Sequence, residues 1–404
     1  MNMSPKLDRL SYNALAARAR ELSPLISEEA EANEARGKLT ERCLNALRDA
    51  GLFGLFVPRV LGGAELSPPH GLEIVEILSR ADSSTGWVAM ATEVAMASCG
   101  AFLSPDAAKT VFKNHVPLIA GQGAPLGTAD AECAGYRLNG NWSYASGLLH
   151  SEWIHTGAIV HENGAPRIDL RTRSPEARIF IVPVKQAELK DNWNVLGLRA
   201  TGSVDYSIRD VSVTEEFTHL LTANRPNLGG DLYRIGILGF AAIGHTGFTL
   251  GVARRTLDEI AALANSSSPR PSPLAALRGG DSFQLQYGRA EGQLLAARAF
   301  AYETWNDIAQ TLAGGNDPSV RQFTLARLAF SHVNSVATAI ANFAFEFGGG
   351  AALRSGTIQR LFRDIHTAGR HITASEAIVR ECAKDLLGLA AGKIWSLRQL
   401  IDVY

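Results

Sequence analysis

The hydrophobic period of this chain changes twice, and those two changes constrain the fold more than any motif does. From Ser11 to about Phe112 apolar residues recur at helical spacing, beginning with Tyr12, Leu15, Ala16, Ala19 and Leu22, with charges between them. At about Pro117 the pattern becomes that of short strands. LIAGQGAP, GYRLNGNWSYASG, WIHTGAIV, RIFIVPV and VDYSIRDVSV are rich in β-branched and aromatic residues and are divided by Gly, Pro and Asn-Gly turns. After Thr222 helical patterns resume to the C-terminus. The chain is therefore predicted to be α+β and mainly α, with a helical domain over 1–116, a small β-barrel or sandwich over 117–222 and a four-helix bundle over 223–404. Its 404 residues are too many for one ordinary core, which agrees with several units.

Local signals refine this order. Asp82-Ser83-Ser84-Thr85 supplies N-cap chemistry before the Ala/Met/Val run GWVAMATEVAMA, predicted to be a buried helix. Asn139-Gly140 in YRLNGNWSY fits the type I′ turn of a hairpin. SSSPRPSP at 266–273 reads as an exposed loop between two helices, the second of which carries an Ala/Leu stripe from Phe283 to Trp305.

Several function classes are excluded. Lys+Arg 39 against Asp+Glu 40 gives no cationic excess for nucleic acid or an anionic membrane. Cys43, Cys99, Cys133 and Cys382 stand apart without a CxxC pair, so neither a zinc site nor a disulfide framework is predicted. The N-terminus lacks an apolar leader and no run reaches the ~18 apolar residues of a membrane span, so a cytoplasmic protein is expected. Gly121 to Gly127 is no dinucleotide fingerprint, because Pro125 interrupts it and no helix follows. Ser146 is not in a Gly-x-Ser-x-Gly elbow, which argues against a triad hydrolase. His366 and His371, five residues apart, would diverge by roughly 140° on a helix and could not share a metal; His70, His115, His219, His245 and His332 read as structural.

One polar stretch stands out. Arg360 to His371, RLFRDIHTAGRH, packs charges and two imidazoles between apolar helical runs and reads as a turn whose polar groups need partners or a ligand.

Four segments carry a resemblance: PRVLGGAEL (58–66), DSSTGWVAM (82–90), LGLRATGSVDYSIRDVSV (196–213) and GGGAALRSGTIQRLFRD (348–364). In this order, and together spanning almost the whole chain, they resemble the acyl-CoA dehydrogenase fold. In acyl-CoA dehydrogenases a glutamate soon after RLFRD removes an α-proton. Here that span reads IHTAGRHIT, with His371 in its place, and Glu376 is displaced by about a turn. A histidine there, together with NWSYASGLLHSEW (141–153), is similar to the two-component flavin-dependent monooxygenases of this fold, such as p-hydroxyphenylacetate hydroxylase oxygenase components and dibenzothiophene monooxygenase.

That resemblance implies an enzyme that takes diffusible reduced FMN or FAD from a separate NAD(P)H:flavin reductase. With O2 the flavin forms a C4a-hydroperoxide and oxygenates a small aromatic or heteroatom-bearing molecule. It implies further that Ser146 meets the flavin N5/O4 edge as donor or acceptor, that Trp142 stacks near the isoalloxazine, and that Gln122 faces the pocket. Gly348, Gly349 and Gly350 would admit the flavin tail, and Gln284 would reach flavin across a subunit interface of a homotetramer. His371 would stand on the substrate side with both proton states open to it, its ordinary pKa being about 6.5. Trp87 would line the substrate side, and Arg363 and Asp364 would form an ion pair anchoring the segment that bears His371. No metal is implied. A flavin desaturase lacking the usual glutamate and a flavin-free scaffold of the same fold are the alternatives.

Overall fold

The computed structural model describes residues 10–266 and 277–403. The expected Pro-rich loop at 266–273 lies, from 267 onward, outside the described residues. The chain opens with α1 (Tyr12–Arg36), capped by the Ser11 hydroxyl accepting from the Ala14 N–H and closed by Gly37 in the left-handed region. α2 (Glu41–Asp49), α3 (Pro68–Ala81), α4 (Ser83–Phe102) and α5 (Pro105–Val111) follow. As expected, Asp82 caps α4 by accepting from the Thr85 N–H, and α4 is buried on nearly every face. Its one carboxylate, Glu93, accepts from the backbone N–H groups of Gly54, Leu55 and Phe56, which fixes the loop between α2 and α3.

The middle of the chain is a nine-stranded mixed sheet. Its strands are β1 (Ile119–Ala120), β2 (Pro125–Glu132), β3 (Gly135–Trp142), β4 (Trp153–Glu162) and β5 (Ala165–Pro166), then β8 (Ala177–Pro183), β9 (Glu188–Leu189), β10 (Tyr206–Thr214) and β11 (Thr218–Leu220). β6 (Ile168–Asp169) and β7 (Ser174–Pro175) pair separately. Along the sheet the order is β11-β8-β4-β2-β3-β10-β9; β4 runs parallel to β1 and β2, and the other pairings are antiparallel.

The Asn139-Gly140 turn does not form. YRLNGNW continues as one strand, β3, and the β2–β3 turn falls at Cys133-Ala134 instead. Asn139 instead accepts from the Asp210 N–H, where β10 bulges opposite β3. Gly140 is small because a Cβ there would stand 2.5 Å from the Trp142 ring. The Asn-Gly turn of the domain is Asn163-Gly164, both at positive φ, joining β4 to β5.

Helices resume with α6 (Gly236–Asn265), α7 (Asp281–Ala313), α8 (Val320–Leu353), α9 (Thr357–Ala368) and α10 (Glu376–Leu386). α6 lies between α3, α4 and α8 and is buried along most of its length. Two helical stretches, Asp231–Asn265 and Val320–Leu353, are long and apolar enough by composition to cross a membrane; in the first, 78% of that apolar window is inside the protein. The chain does not stay helical to its end: β12 (Lys393–Trp395) and β13 (Leu400–Asp402) form a hairpin. Trp395 pins it to α8 by donating to the Thr324 hydroxyl, with the Arg327 guanidinium 4.3 Å over its ring.

The polar stretch Arg360 to His371 is mostly helix, not a turn. α9 buries Ile358, Leu361, Asp364, Ile365 and Ala368 on one stripe. The expected Arg363–Asp364 ion pair is absent, because neighbours on a helix point about 100° apart. Arg363 instead stands 2.6 Å from the Glu34 carboxylate of α1 and donates to the Leu196 carbonyl. Asp364 accepts from the Leu198 N–H at 2.6 Å and from the Ser83 hydroxyl at the start of α4. The backbone of this loop touches α9 so closely that a Cβ on Gly197 would fall 2.2 Å from the Arg363 carbonyl oxygen.

Asp364→Ala leaves a buried N–H and hydroxyl unpaired and is expected to cost about 2–3 kcal/mol of stability, read from the urea midpoint. Burial raises the Asp364 carboxyl from 3.8 to about 6. The folded state thus holds the proton more tightly than the unfolded chain. The stability of the native protein relative to Asp364→Asn is expected to fall as pH rises from about 4 to about 6.

Candidate active site

The segment DSSTGWVAM places Trp87 on the first turns of α4, with Ser83 held by Asp364. Around the indole stand side chains from two other parts of the chain. Phe248 of α6 meets it edge-on at 4.9 Å, His245 of α6 lies at 5.2 Å and His371, just past α9, at 6.0 Å between ring centroids. His245 and His371 are themselves 4.3 Å apart, and Phe330 of α8 stacks on His245 at 5.5 Å. Small residues bring these helices together: a Cβ on Gly244 would stand 3.0 Å from Met90 of α4. The result is an aromatic chamber with two imidazoles.

His371 is not free to choose its tautomer. It caps a single 3-10 turn, Ile372–Ala374, by accepting the Thr373 N–H at Nδ1, and the Thr373 hydroxyl is 2.7 Å from the same nitrogen. An Nδ1 that accepts carries no proton, so in the neutral ring the proton sits on Nε2. Burial pushes the pKa of His371 down to about 4. The expectation of two accessible proton states near neutrality is thereby corrected: desolvation leaves a neutral ring with one N–H to donate. His245 is likewise driven well below its ordinary value, by burial first and by His371 second.

Ser146 heads a hydrogen-bond chain with a fixed direction. The Trp87 indole N–H donates to Ser146 Oγ at 2.9 Å, Ser146 Oγ is 2.7 Å from Ser203 Oγ, and Ser203 Oγ is 2.7 Å from Thr201 Oγ1. The Thr201 hydroxyl donates to the Leu198 carbonyl. Each hydroxyl has a single proton, so Ser203 donates to Thr201 and Ser146 donates to Ser203. Ser146 therefore has no proton left for a ligand and one lone pair free, which makes it an acceptor for a ligand N–H.

The remaining expected residues divide. Gln122 lies in the loop after β1, its amide spanning the Ser143 carbonyl and the Ala124 N–H. Trp142 is not available for stacking on a ligand: it is buried in the β domain, stacked on Tyr206 and donating to the Gly157 carbonyl. The accessible aromatic ring of that strand end is Tyr144, 67% exposed and in the left-handed region at φ 66°. Gln284 is exposed at the start of α7, donating to the Arg278 carbonyl. Gly349 kinks α8, and nothing lies within 4 Å of where a Cβ on Gly349 or Gly350 would sit, whereas Gly348 is buried against Ala352. None of Gln122, Trp142, Gln284, Gly348, Gly349 and Gly350 is among the ring and hydrogen-bond contacts of Trp87. His366 turns away onto Phe362 and Asn342, and Glu376 is exposed at the start of α10.

Sequence reasoning missed His245 by leaving it among the structural histidines. Its signal was being the only ionisable residue in the small, apolar run GILGFAAIGHTGFTLGVA. It missed also that Ser203 and Thr201 fix the polarity of Ser146.

Around Trp87 the site thus offers a lone pair on Ser146 and an N–H on His371. Helical flanks around a mixed sheet, with two imidazoles in the chamber between them, give the arrangement of an oxidoreductase of the acyl-CoA dehydrogenase fold.

The comparisons agree. The chain matches the acyl-CoA dehydrogenase N-terminal domain over residues 13–111 and the acyl-CoA dehydrogenase C-terminal domain over 243–376. It is 30% identical over 333 residues to an indole-3-acetate monooxygenase of Pseudomonas putida, covering 81% of this chain and 82% of that protein. It is 27% identical over 375 residues to the oxygenase subunit of a flavin-dependent monooxygenase of Rhodococcus jostii, covering 88% and 93%. The structure of XiaF from a Streptomyces species, solved with FADH2 and glycerol, superposes with a TM-score of 0.85 at 22% identity, covering 94% of this chain and 96% of that one. The chain belongs to the flavin-dependent monooxygenases built on the acyl-CoA dehydrogenase fold.

The neutral state of His371 is open to direct measurement. With histidine labelled at Cε1 and His371→Gln for assignment, the His371 resonance of the flavin-free protein is expected to hold its neutral position from pH 8 to 5 and to move only towards pH 4. A midpoint near 6.5 would contradict the burial argument.

Proposed function

We propose that the chain is the oxygenase of a two-component system, accepting diffusible reduced FMN or FAD from a separate NAD(P)H:flavin reductase and using O2 to place one oxygen atom on a small aromatic molecule. The observation that carries this reading is the pairing of an acceptor, Ser146, with a neutral N–H donor, His371, in a chamber walled by Trp87, Phe248 and Phe330. When bound, reduced flavin supplies the two electrons that let one oxygen atom of O2 go to substrate and the other to water.

The protein's own part is to bind, to orient and to keep water out. Ser146 accepts the flavin N–H edge and holds the ring in register. His371 Nε2–H donates to the oxygen being transferred or to a substrate oxygen, and its neutrality avoids charging the chamber. The aromatic walls exclude the water that would divert reducing power to hydrogen peroxide. Segments 1–116, 117–222 and 223–404 act as its three units, and the enzyme works in the cytoplasm as a homotetramer. Exposed leucines support the last point: Leu285 and Leu295 on α7, and Leu353 at the end of α8, are all more than half exposed.

A desaturase reading needs a carboxylate base in the chamber. Glu376 is exposed, and Glu93 is committed to three backbone N–H groups. Neither serves.

The test is to mix protein with pre-reduced flavin, O2 and a panel of aromatic substrates, and to count product per flavin oxidised. His371→Ala is expected to lower that ratio by about 100-fold while flavin still binds and is still oxidised. Product formation unchanged in the variant would remove His371 from the chemistry, and none from the native protein on any aromatic substrate would remove the oxygenase reading.

A further inference from the structure

Of the three hydroxyls in the relay behind the candidate site, Ser146 keeps the most access to a ligand. Ser146 is 9% exposed, Ser203 2% and Thr201 0%. Backbone bonds hold their two loops in register: the Gly147 N–H donates to the Thr201 carbonyl at 2.9 Å and the Ala145 N–H to the Val204 carbonyl at 3.2 Å. The far end of the row is the Leu198 carbonyl, which accepts the Thr201 hydroxyl at 2.8 Å and the Trp193 indole N–H at 3.0 Å. Leu198 itself stands in the left-handed region, at φ 54°, with its N–H held by Asp364. Two oxygens 2.8 Å apart need a proton between them, and a carbonyl has none to give. Thr201 must spend its proton there. The direction of every bond back to Ser146 follows from that one.

We propose that Thr201 is a positioning residue: acting through Ser203, it decides which redox state of flavin Ser146 can bond. The inference rests on the oxygenase reading above, in which Ser146 meets the flavin N–H edge, and names what regulates that contact. Reduced flavin carries a hydrogen on N5, whereas oxidised flavin carries only a lone pair there. Ser146 has its own proton committed to Ser203 and one lone pair taken by the Trp87 indole N–H. What is left is a single lone pair, which matches the reduced N5–H and meets the oxidised N5 lone pair to lone pair.

Removing the Thr201 hydroxyl affects the two flavin states unequally. In Thr201→Val a methyl group replaces the hydroxyl, and the Leu198 carbonyl keeps the Trp193 N–H, so no buried acceptor is stranded. Ser203 then has a proton without a fixed acceptor and can turn it back onto Ser146. That frees the Ser146 proton for an oxidised N5. Towards reduced flavin nothing is lost, because Ser146 can still donate to Ser203 and accept from N5–H. A hydroxyl two bonds from the ligand therefore acts on the oxidised form alone, which loss of packing would not do.

The test titrates the flavin-free full chain at pH 7 with oxidised FMN and FAD and, without oxygen, with the same flavins reduced by dithionite. The native protein is expected to hold the reduced form about tenfold more tightly than the oxidised. Thr201→Val is expected to tighten the oxidised form about tenfold and to leave the reduced form within about twofold, which lowers the midpoint potential of the bound flavin by about 30 mV. Thr201→Ser, which restores a hydroxyl, is expected to return both forms to native values. Ser203→Ala cuts the relay one bond earlier and is expected to narrow the same ratio, which carries the test should Thr201→Val not fold. Equal weakening of the two forms, or the same narrowing in Thr201→Ser as in Thr201→Val, would overturn the role of Thr201. A native preference for reduced flavin that survives both Thr201→Val and Ser203→Ala would overturn the relay alone. Native protein that binds neither form would overturn the oxygenase reading, and this inference with it.

Discussion

The structure depends on one buried carboxylate. Asp364 of α9 receives the Leu198 N–H from the loop before β10 and the Ser83 hydroxyl from the first turn of α4. It thus joins the N-terminal helices, the β domain and the C-terminal helices at one point. Its neighbour Arg363 extends the same junction, reaching Glu34 of α1 and the Leu196 carbonyl. Burial outweighs these hydrogen bonds and raises the carboxyl to about 6, so the group is held at a cost. What the cost secures is position. Trp87 follows Ser83 on α4, His371 follows Asp364 past the end of α9, and the Ser203–Thr201 end of the Ser146 relay follows Leu198. All three arms of the candidate site leave from the same tie.

Those arms produce a chamber whose polarity is fixed before any ligand arrives. The relay from Trp87 through Ser146, Ser203 and Thr201 to the Leu198 carbonyl uses every hydroxyl proton in one direction. Ser146 is left as an acceptor, while His371, capped at Nδ1, is left as a donor. A preorganised pair of this kind needs no reorientation when a ligand binds, which is the condition under which hydrogen bonds contribute most to catalysis. The neutrality of both imidazoles follows from the same apolar walls that would keep water from the reacting atoms.

Much of this was legible in the sequence, for identifiable reasons. The change of hydrophobic period at Pro117 and again after Thr222 reflects local geometry, and the Asp82 cap needs only its own turn; both were readable. The Asn139-Gly140 hairpin was wrong because the same dipeptide serves a strand that must leave room for the Trp142 ring, a contact made across the sheet. The Arg363–Asp364 pair was wrong for a simpler reason: adjacent helical residues face apart, and each found its partner far away in the chain. Trp142 was misassigned because a tryptophan near a ligand loop and one in a sheet core share the same sequence. His245 was invisible as a site residue because its meaning comes from His371, 126 positions later, and no local pattern records that encounter.

The protein itself explains why a histidine rather than a glutamate suits this chamber. Glu93 shows what a carboxylate needs to live in this interior: three backbone N–H donors, and even with them its pKa rises to about 7. At position 371 the backbone offers a single N–H, that of Thr373. A carboxylate there would have fewer backbone donors than Glu93 has, and the same burial would raise its pKa. The imidazole responds to the same desolvation in the opposite sense, by giving up its extra proton, and still keeps an N–H on Nε2. Burial therefore moves the two kinds of group in opposite directions, each towards its uncharged form. At neutral pH the His371 imidazole therefore meets a ligand as an uncharged N–H donor.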